Sequence, residues 1–453
     1  MAGWLRVGVA TASYQIEGAV HEDGRSPSVW DTFSHTPGRV LGGDTGDLAC
    51  DHYHRVVDDV ALIASLGVKV YRFSIAWPRV LPDGTGRVEE RGLDFYRRLL
   101  DELARHGIEP RVTLYHWDHP QALEQRYGGW RARTMAHDFA DYVAVVVKAL
   151  GDRVTRWTTM NEIACFTHFS FGATKPGIHA PGLRLESQRE VWQTAHHALL
   201  GHGLATQVIR ALSARPCQVS LVDNLAVPVP YREAPEDVAA AGAAFGVLGT
   251  NGGILVPALT GRYEPRFEEA ARARGEMPVM DEGDLATIAQ PLDELGLNVY
   301  TGVYVRAAST QAGFETLPFP PGYPKLDMPW LDVVPDALYW APRHVVEQLG
   351  FRGRFFVSEN GCAARDEPTG AGEVLDLDRI AYLRGYLRQL VRATAEGLPV
   401  TGYCLWSLLD NFEWSWGYAK RFGLVYVDYP TQRRIPKASA AWYSECIRQN
   451  RVV

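Results

Sequence analysis

Two glutamates of this chain stand at the ends of predicted strands. Glu359 lies in the run 354–362 (RFFVSENGC), an apolar stretch bounded by glycine that is typical of a strand in a parallel sheet. Glu162 follows Asn161 at the end of another such run, RWTTMNE. The carboxyl ends of parallel barrel strands meet at one mouth, so the two carboxyl groups are expected to face a shared cavity. Such a pair can cleave a glycosidic bond, because one carboxyl group protonates the leaving oxygen while the other attacks the anomeric carbon.

Two other uses of these residues have to be weighed. Paired carboxylates also bind metals, but metal-dependent barrels use clustered histidines, and the His-x-His pair formed by His52 and His54 is predicted to open a helix. Cys362 could be a nucleophile, yet no histidine is near it in the sequence, which favours a packing role. The six cysteines show no C-x-x-C spacing, so buried free thiols are expected. The chemistry is predicted to need no metal and no cofactor.

Eight strand-like runs recur along the chain and would position these residues, at 7–13, 68–77, 111–117, 156–162, 218–224, 295–300, 355–359 and 400–408. Helical patterns lie between them at 56–66, 91–106, 136–150 and 378–396, and the last three are each followed by glycine, a common helix stop. This alternation predicts an α/β fold, a single (β/α)8 TIM barrel over 1–453 with the active site at the C-terminal ends of its strands. The Pro- and Gly-rich segments 172–184 and 309–327 are expected to be rim or lid loops.

Composition excludes several classes of partner. The chain has 46 Lys and Arg against 53 Asp and Glu, a formal net charge of −7, which provides no basic field for nucleic acid or an anionic membrane. No run approaches the roughly 20 apolar residues of a membrane helix. The first residues lack the pattern of a secretory signal, so a cytoplasmic location is expected. Nothing in the pattern indicates an oligomeric state.

Aromatic residues beside polar ones suggest the ligand. The 13 tryptophans include several next to hydrogen-bonding residues at predicted strand ends, as in 116–118 (HWD) and 413–416 (EWSW). Aromatic faces next to donors and acceptors suit a ligand with an apolar face and many hydroxyls, which describes a sugar ring. The alternative is that tryptophan is simply common in a large core.

Seven ordered motifs resemble glycoside hydrolase family 1, the β-glucosidase family, over essentially the whole chain. They stand at 10–18 (ATASYQIEG), 71–77 (YRFSIAW), 116–118 (HWD), 161–162 (NE), 298–300 (NVY), 358–361 (SENG) and 406–414 (WSLLDNFEW). The resemblance implies that Glu359 is the nucleophile, kept ionised by the Arg72 cation and a hydroxyl donor from Tyr300. Glu162 would be the acid and then the base, its proton held near neutral pH by the negative Glu359. Retention of configuration predicts carboxyl groups about 5 Å apart.

The resemblance also implies a set of substrate-binding residues, in which Asn161 would contact the sugar 2-hydroxyl. The set comprises Gln15, His116, Asn161, Asn298, Trp406, Glu413, Trp414 and Phe422. Trp330 would be a platform for the leaving group, with Asn224 and Phe166 nearby. The alternatives are a satisfied core histidine for His116, a backbone cap for Gln15 and plain packing for Trp414.

Comparison within the family narrows the substrate. Thioglucosidases carry Gln where this chain has Glu162, so an O-glycosidase is predicted. Lys420 matches the phosphate-binding lysine of the 6-phospho-glycosidases, but those enzymes have Ser at position 413 and Tyr at position 422. Glu413 would repel a phosphate dianion, which favours unphosphorylated sugars.

The chain departs from the family pattern in three places. Ile163 replaces the usual Pro, which would alter the loop after Glu162. His119 replaces an apolar residue and would change the aglycone entrance. The family's lead segment before the first strand is missing.

These features together predict a retaining β-glycosidase for the terminal β-D-glucosyl residues of small glucosides or cello-oligosaccharides, with a role in cellulose degradation. β-Fucosides and β-galactosides are expected to be tolerated. The expected partner is a small-molecule β-glycoside. A catalytically silent glycoside-binding barrel and a transglycosylating enzyme of the same family are the alternatives.

Overall fold

Eight short parallel strands hydrogen-bond side by side into a closed ring in the computed structural model, which describes residues 5–453. We label them in chain order β1 Arg6–Ala10, β2 Val70–Ser74, β3 Glu109–Thr113, β4 Arg156–Asn161, β5 Gln218–Asn224, β6 Glu294–Asn298, β7 Arg354–Asn360 and β8 Val400–Trp406. Each strand pairs with its neighbours in the sequence, and β1 closes the ring against β8. The predicted (β/α)8 barrel is therefore confirmed; the first four residues of the range assigned to it lie outside the described chain.

The strands are buried on both faces, as their apolar runs predicted. All five residues of β2 and all five of β6 are buried. Most strands end two to four residues earlier than predicted, for example β2 at Ser74 rather than at residue 77. The residues beyond these ends, such as the HWD motif after β3, turn into the loops that carry the site.

Helices cover the outside of the ring. The eight longest are His52–Ser65, Glu90–Arg105, Thr134–Leu150, Gln188–Leu212, Pro235–Phe245, Ala337–Leu349, Leu377–Ala395 and Ala438–Gln449. All four predicted helices are among them, and the His-x-His pair opens one, as predicted. The helix Glu90–Arg105 shows why: its apolar residues recur every three or four positions and are buried, and Gly107 beyond it has a φ of 64° that suits glycine.

Shorter helices lie mostly in the connections. They are Ser13–Ile16, Val29–Ser34, Trp77–Val80, Gln121–Tyr127, Ile163–Phe166, Leu255–Thr260, Pro265–Ala273 and Asp284–Ile288, with 3-10 turns at Leu41–Gly43, Gly129–Arg131 and Trp414–Trp416. Within residues 5–453, no helix has the length and apolar character needed to cross a membrane.

Three small sheets, which were not predicted, shape the long connections. They are formed by Pro228–Pro230, Val303–Ala307 and Phe314–Thr316, by Val425–Asp428 with Arg433–Pro436, and by Phe171–Gly172 with Leu183–Arg184. The last pair joins both ends of the predicted rim segment 172–184, so this loop has a fixed base. The second predicted segment, 309–327, includes the strand Phe314–Thr316.

Candidate active site

A cavity of about 440 Å³ opens where the barrel strands end. Three carboxyl groups, those of Glu162, Glu359 and Glu413, line it together with many aromatic rings. Of the remaining predicted site residues, those that line the cavity are Tyr300, His116, Trp406, Trp414, Phe422, Trp330 and Asn224. Arg72, Gln15, Asn161 and Asn298 are buried and are not among the lining residues.

Glu359 is fixed by donors on both of its oxygens. It is the last residue but one of β7, and Arg72 on β2 forms a buried ion pair with its Oε1. The Tyr300 hydroxyl donates to Oε2 at 2.6 Å. Arg72 also donates to Asn161 Oδ1 at 2.7 Å, so the cation is itself held in place. A buried carboxyl group fixed in this way, beside a cation, is arranged as a nucleophile would be.

The surroundings of Glu162 favour the protonated form of its carboxyl group. Burial raises its pKa to about 8, and the charge of Glu359 adds to the increase. Asn298 Nδ2 donates to its Oε1 at 2.6 Å and the Cys165 thiol donates to its Oε2 at 3.1 Å, and both bonds lower the pKa. The carboxyl group therefore carries a proton at neutral pH, as an acid catalyst requires. The charge of Glu359 was expected to raise this pKa, but burial is the larger cause.

Three residues that line the cavity have left-handed backbones. The φ angles of Trp117, Glu162 and Trp414 are 76°, 48° and 51°. Such conformations cost on the order of 1–3 kcal/mol for a residue with a side chain, so the surrounding structure must hold them. The Glu162 amide, for example, donates to Val222 O on β5 at 2.9 Å. Strain of this kind points the side chains where a regular strand end would not.

Buried polar atoms without a protein partner belong to three predicted sugar-binding residues. They are Glu413 Oε2, Gln15 Oε1 and His116 Nδ1. Burial raises the pKa of Glu413 to about 8, with Glu359 and Glu162 adding to it, and burial followed by the Arg72 charge keeps the pKa of His116 well below its usual range. A ligand rich in hydroxyl groups can supply the missing partners.

Aromatic rings form one wall of the cavity. His116 stacks on Trp406 and on Trp414, with ring centroids 5.9 and 5.8 Å apart. Trp117 packs on Trp414 at 4.4 Å and donates through Nε1 to Asn161 O at 2.8 Å. Trp414 thus packs against other rings and also lines the cavity. A packing role for Trp414 is therefore compatible with a contact to the sugar.

Asn298 binds the side chains of both Glu162 and Asn161. Its Nδ2 donates to Glu162 Oε1 and, at 3.1 Å, to Asn161 Oδ1, while its Oδ1 accepts from Ser358 Oγ at 2.7 Å. Both amide hydrogens are therefore used within the protein. Asn298 holds Glu162 and Asn161 from behind, and its contact with the sugar stays a prediction.

Asn161 and Gln15 also lie behind the lining residues. Asn161 Nδ2 is 3.2 Å from His116 Nε2, so it bridges Arg72 and His116. Gln15 Nε2 donates to Phe412 O at 2.8 Å and to Asn411 Oδ1 at 3.0 Å. Gln15 therefore does cap a backbone carbonyl, next to Glu413, and its Oε1 is the atom left for a ligand.

Phe166 lies in the core and not at the cavity, where it was expected. It is buried and packs on Tyr115 and Trp130, with centroids 4.8 and 5.5 Å apart, and it does not line the cavity. Asn224 and Trp330, which were placed with it, do line the cavity. Trp330 meets the Tyr300 ring edge-on at 5.6 Å, next to the predicted nucleophile.

The departures from the family pattern have local consequences. Ile163 is fully buried and opens the short helix Ile163–Phe166, so the chain after Glu162 follows a defined course without the proline. His119 is buried, with Nδ1 2.8 Å from the Tyr115 hydroxyl, and is not a lining residue. The expectation that His119 changes the aglycone entrance is therefore wrong.

Eleven lining residues were not assigned to the site from the sequence, among them Cys165, Phe169, Ile178 and His179. Cys165 stands three residues after Glu162, and residues three apart come together on a helical turn. The spacing in the sequence could therefore have predicted that Cys165 contacts Glu162. Ile178 and His179 belong to the predicted rim segment 172–184, but nothing in its composition indicated which of its residues turn inward.

The cysteines are unpaired, as expected, and buried except for the half-buried Cys217. Cys362 is not a lining residue, and burial raises the pKa of its thiol to about 12, which confirms a packing role. Across residues 5–453, no group of three or more His, Cys, Asp or Glu side chains is arranged to hold a metal ion.

Comparisons with known proteins agree with this geometry. Residues 4–452 match the sequence model of the family described as "Glycosyl hydrolase family 1". The chain is 46% identical over 451 residues to "Thermostable beta-glucosidase B" of Thermobispora bispora (98% of this chain, 89% of the relative). It is 43% identical over 460 residues to "Bifunctional beta-D-glucosidase/beta-D-fucosidase" of Bifidobacterium breve (97% and 96%). The solved β-glucosidase of Thermotoga maritima in complex with glucoimidazole superposes with a TM-score of 0.89 at 41% identity, covering 99% of each chain.

Proposed function

The chain belongs to glycosyl hydrolase family 1, and we propose that Glu359 and Glu162 carry out in it a two-step hydrolysis of β-glucosides with retention of configuration. The chain is a β-glycosidase, since its relatives over nearly its full length are β-glucosidases. One observation carries the residue assignment. A carboxyl group that keeps its proton at neutral pH shares a cavity with a second carboxyl group that is paired with a cation.

In the first step, Glu359 attacks the anomeric carbon while Glu162 gives its proton to the leaving oxygen. The covalent bond removes the charge of Glu359. Because that charge is one cause of the raised pKa of Glu162, its loss lowers the pKa and turns Glu162 into a base. In the second step, Glu162 accepts a proton from water as the water oxygen attacks the anomeric carbon, and the bond from that carbon to Glu359 breaks and restores its carboxylate. Direct attack requires the two carboxyl groups to lie about 5 Å apart.

The sugar would be held by the buried polar atoms that lack a protein partner. Glu413 Oε2, Gln15 Oε1 and His116 Nδ1 can each bind a hydroxyl group. Trp406 and Trp414 would supply apolar faces to the ring. Asn161 and Phe422 complete the set, Asn161 as the contact to the 2-hydroxyl and Phe422 beside Tyr300.

We infer that the sugar is unphosphorylated glucose, with fucosides and galactosides also accepted. Lys420, the candidate phosphate ligand, is 2.9 Å from Asp327 Oδ1, so its charge is already paired. The charge repulsion expected from Glu413 is weaker than the sequence suggested, because its raised pKa leaves it mostly protonated at neutral pH. The relative from Bifidobacterium breve, named as a glucosidase and fucosidase, supports tolerance at carbons 4 and 6, where the two sugars differ. A role in cellulose degradation is part of this proposal.

The whole chain is proposed to be one catalytic domain, because residues from both ends, such as Val7 and Tyr443, belong to one buried core. A cytoplasmic location stays a prediction from the sequence.

Hydrolysis of an aryl β-glucoside by the purified protein tests the proposal. We expect turnover by the native protein and the loss of nearly all of it in Glu359→Ala. If the native protein binds the glucoside without cleaving it, the silent-barrel alternative is right. Analysis of products with an added alcohol acceptor distinguishes water from a second sugar acceptor, because a transglycosylating enzyme would form mainly the new glycoside.

A further inference from the structure

We propose that the amino-terminal end of the barrel, opposite the active site, binds a small oxyanion such as a phosphate group. The inference does not depend on the proposed function. Six charged side chains stand at the first or third positions of the barrel strands at this end, and we call them the basal cluster. They are Arg6, Glu109, Arg111, Arg156, Glu294 and Arg354.

The basal cluster closes the inside of the ring. Side chains alternate between the two faces of a strand, so the first and third residues of one strand share a face. Arg111 on β3 shows which face this is, because it forms an ion pair with Glu294 on β6 and its guanidinium lies 3.5 Å from the centre of the Phe356 ring on β7. Neither β6 nor β7 is a neighbour of β3 in the ring, so these contacts run through the barrel interior.

The basal cluster has more positive charge than its own carboxylates can balance. Glu294 is paired with Arg111. Glu109 is shared, because it pairs with Arg6. Its Oε1 also lies 3.6 Å from Arg111 Nε and 3.5 Å from Arg156 Nε. Four guanidinium groups thus meet two carboxylates, which leaves two positive charges without a negative partner.

Donor groups of three basal arginines lack a hydrogen-bond partner in the described chain. The Arg156 guanidinium donates no hydrogen bond there, and the Arg354 guanidinium has neither a hydrogen bond nor an ion pair. Arg111 Nε also has no hydrogen-bond partner, although this side chain is only 7% exposed. Buried donors are normally satisfied. An oxyanion offers several acceptor oxygens, and phosphate matches the fork of guanidinium hydrogens.

The arginines of the basal cluster repel one another. Burial lowers the pKa of Arg156 to about 10, and the charges of Arg111, Arg354 and Arg6 add to the decrease, while Glu294 opposes it. Arg156 is therefore still charged at neutral pH, and a bound anion would relieve the repulsion. The cluster is open to solvent at its edge, because the Arg6 side chain is 52% exposed and Arg354 is exposed as well. An ion can enter from this side.

Thermal unfolding in sodium phosphate and in sodium chloride, at the same pH and ionic strength, tests the inference. A ligand that binds only the folded chain raises the melting temperature. We expect phosphate to raise it by about 2–3 °C more than chloride does, once its concentration is about a hundredfold above Kd. Titration calorimetry should show one phosphate bound per chain. Phosphate also stabilises proteins through exclusion from their surface, but that effect depends on no single arginine.

Two variants make the test specific. Arg156→Gln and Arg354→Gln should each bind phosphate at least about tenfold more weakly and lose most of the extra rise, because each removes a charged donor. In chloride, both should melt no lower than the native protein, since each removes one of several like charges. Arg97→Gln, on the helix Glu90–Arg105, is the matched control, because this side chain is 29% exposed against 21% for Arg156. It should keep the full rise.

Two phosphate compounds distinguish the sources of such an anion. Inorganic phosphate represents a free ion, and glycerol phosphate represents the phosphate group of a larger molecule. Binding of inorganic phosphate alone would assign the site to a free ion. Binding of both would show that the site also accepts phosphate esters.

A melting temperature that rises no more in phosphate than in chloride would overturn the inference. So would Arg156→Gln and Arg354→Gln variants that keep the native rise. If both variants melt below the native protein in chloride, the two arginines stabilise the barrel by themselves, and the inference is likewise wrong.

Discussion

At the scale of single residues, the contribution of Glu162 to kcat/KM should depend on the leaving group. A poor leaving group needs the proton of Glu162, whereas a good one departs without it. Glu162→Ala should reduce kcat/KM about 10²- to 10⁴-fold for phenyl β-glucoside, the usual range for a lost acid catalyst. For 2,4-dinitrophenyl β-glucoside, whose leaving group departs without a proton, the loss should be less than about tenfold. Glu359→Ala should abolish hydrolysis of both. Equal losses with both substrates in Glu162→Ala would contradict the assignment.

Cys165 should tune the alkaline limit of activity. Because Glu162 must be protonated in the first step and its pKa is raised to about 8, kcat/KM should fall as the pH rises through that region. The Cys165 thiol donates to Glu162 Oε2 and so favours the ionised form. Cys165→Ala should therefore raise the pKa of Glu162 and move the alkaline limb upward by about half a pH unit, since the thiol is a weak donor.

Two further variants make this prediction specific. Cys165→Ser replaces the thiol by a stronger donor and should move the alkaline limb down or leave it in place, in the direction opposite to alanine. Cys217→Ala removes a half-buried thiol that does not line the cavity and should keep the native profile. An alkaline limb at the same pH in all variants, with only the maximal rate changed, would mean that Cys165 is a packing residue.

Both glutamates lie at strand ends, as predicted, but a strand-end glutamate alone does not identify a catalyst. The pairing of the two and the seven family motifs supported that prediction. Asn298 is also a strand-end polar residue, yet its amide is used behind Glu162. A sequence does not tell which strand-end side chains reach the cavity and which tie the others in place. The positions of Cys165 and His179 at the cavity depend on the course of irregular segments, which local sequence patterns do not determine.

At the scale of elements, the loop after β8 carries Glu413 and is attached to the fold by a buried ion network. Asp410 accepts from Lys437 Nζ at 2.6 Å, from the Gly423 amide at 2.9 Å and from Arg421 at 2.8 Å. Lys437 also pairs with Asp366 at 2.5 Å. One cation thus connects this loop with the loop after β7 and with the start of the last helix.

Lys437→Met should loosen this loop. Removal of one partner from a buried ion network leaves uncompensated charge and costs about 3–5 kcal/mol. We expect a melting temperature lower by several degrees and a reduced kcat/KM, because Glu413 is no longer firmly held. Arg448→Met, which breaks the exposed pair with Glu445, should match the native protein in both measurements. A Lys437→Met variant that melts with the native protein would contradict this account.

The regular elements were predictable and the irregular ones were not. The strand at 218–224 and the helix at 136–150 have long periodic apolar patterns, and both are found within two residues of the predicted bounds. The strand Phe314–Thr316 has only three residues, of which none is fully buried, so no burial pattern marked it. Such strands depend on a partner brought near by the barrel, which a local window of sequence does not contain.

At the scale of the whole molecule, we expect the active site to lower the stability of the fold at alkaline pH. Burial, with neighbouring charges, raises the pKa of Glu162 and Glu413 to about 8, and burial raises that of Asp118 to about 7. At a pH below the unfolded-state pKa, both states are protonated and the groups contribute nothing. As the pH rises, the unfolded chain ionises first, so the folded state loses relative stability until the pH passes the folded-state pKa.

Glu162→Gln should reveal this cost directly. The amide keeps the shape of the carboxyl group and can still accept from Asn298, but it has no proton to lose. The variant should therefore equal the native protein in stability near pH 4.5 and exceed it by about 1–3 kcal/mol near pH 8.5, while losing activity. Thermal unfolding across this pH range measures the difference, with the exposed Glu445→Gln as a variant that should show no gain on the alkaline side. A stability difference that does not grow with pH would mean that Glu162 is already ionised in the free enzyme, and a different group would then have to supply the proton.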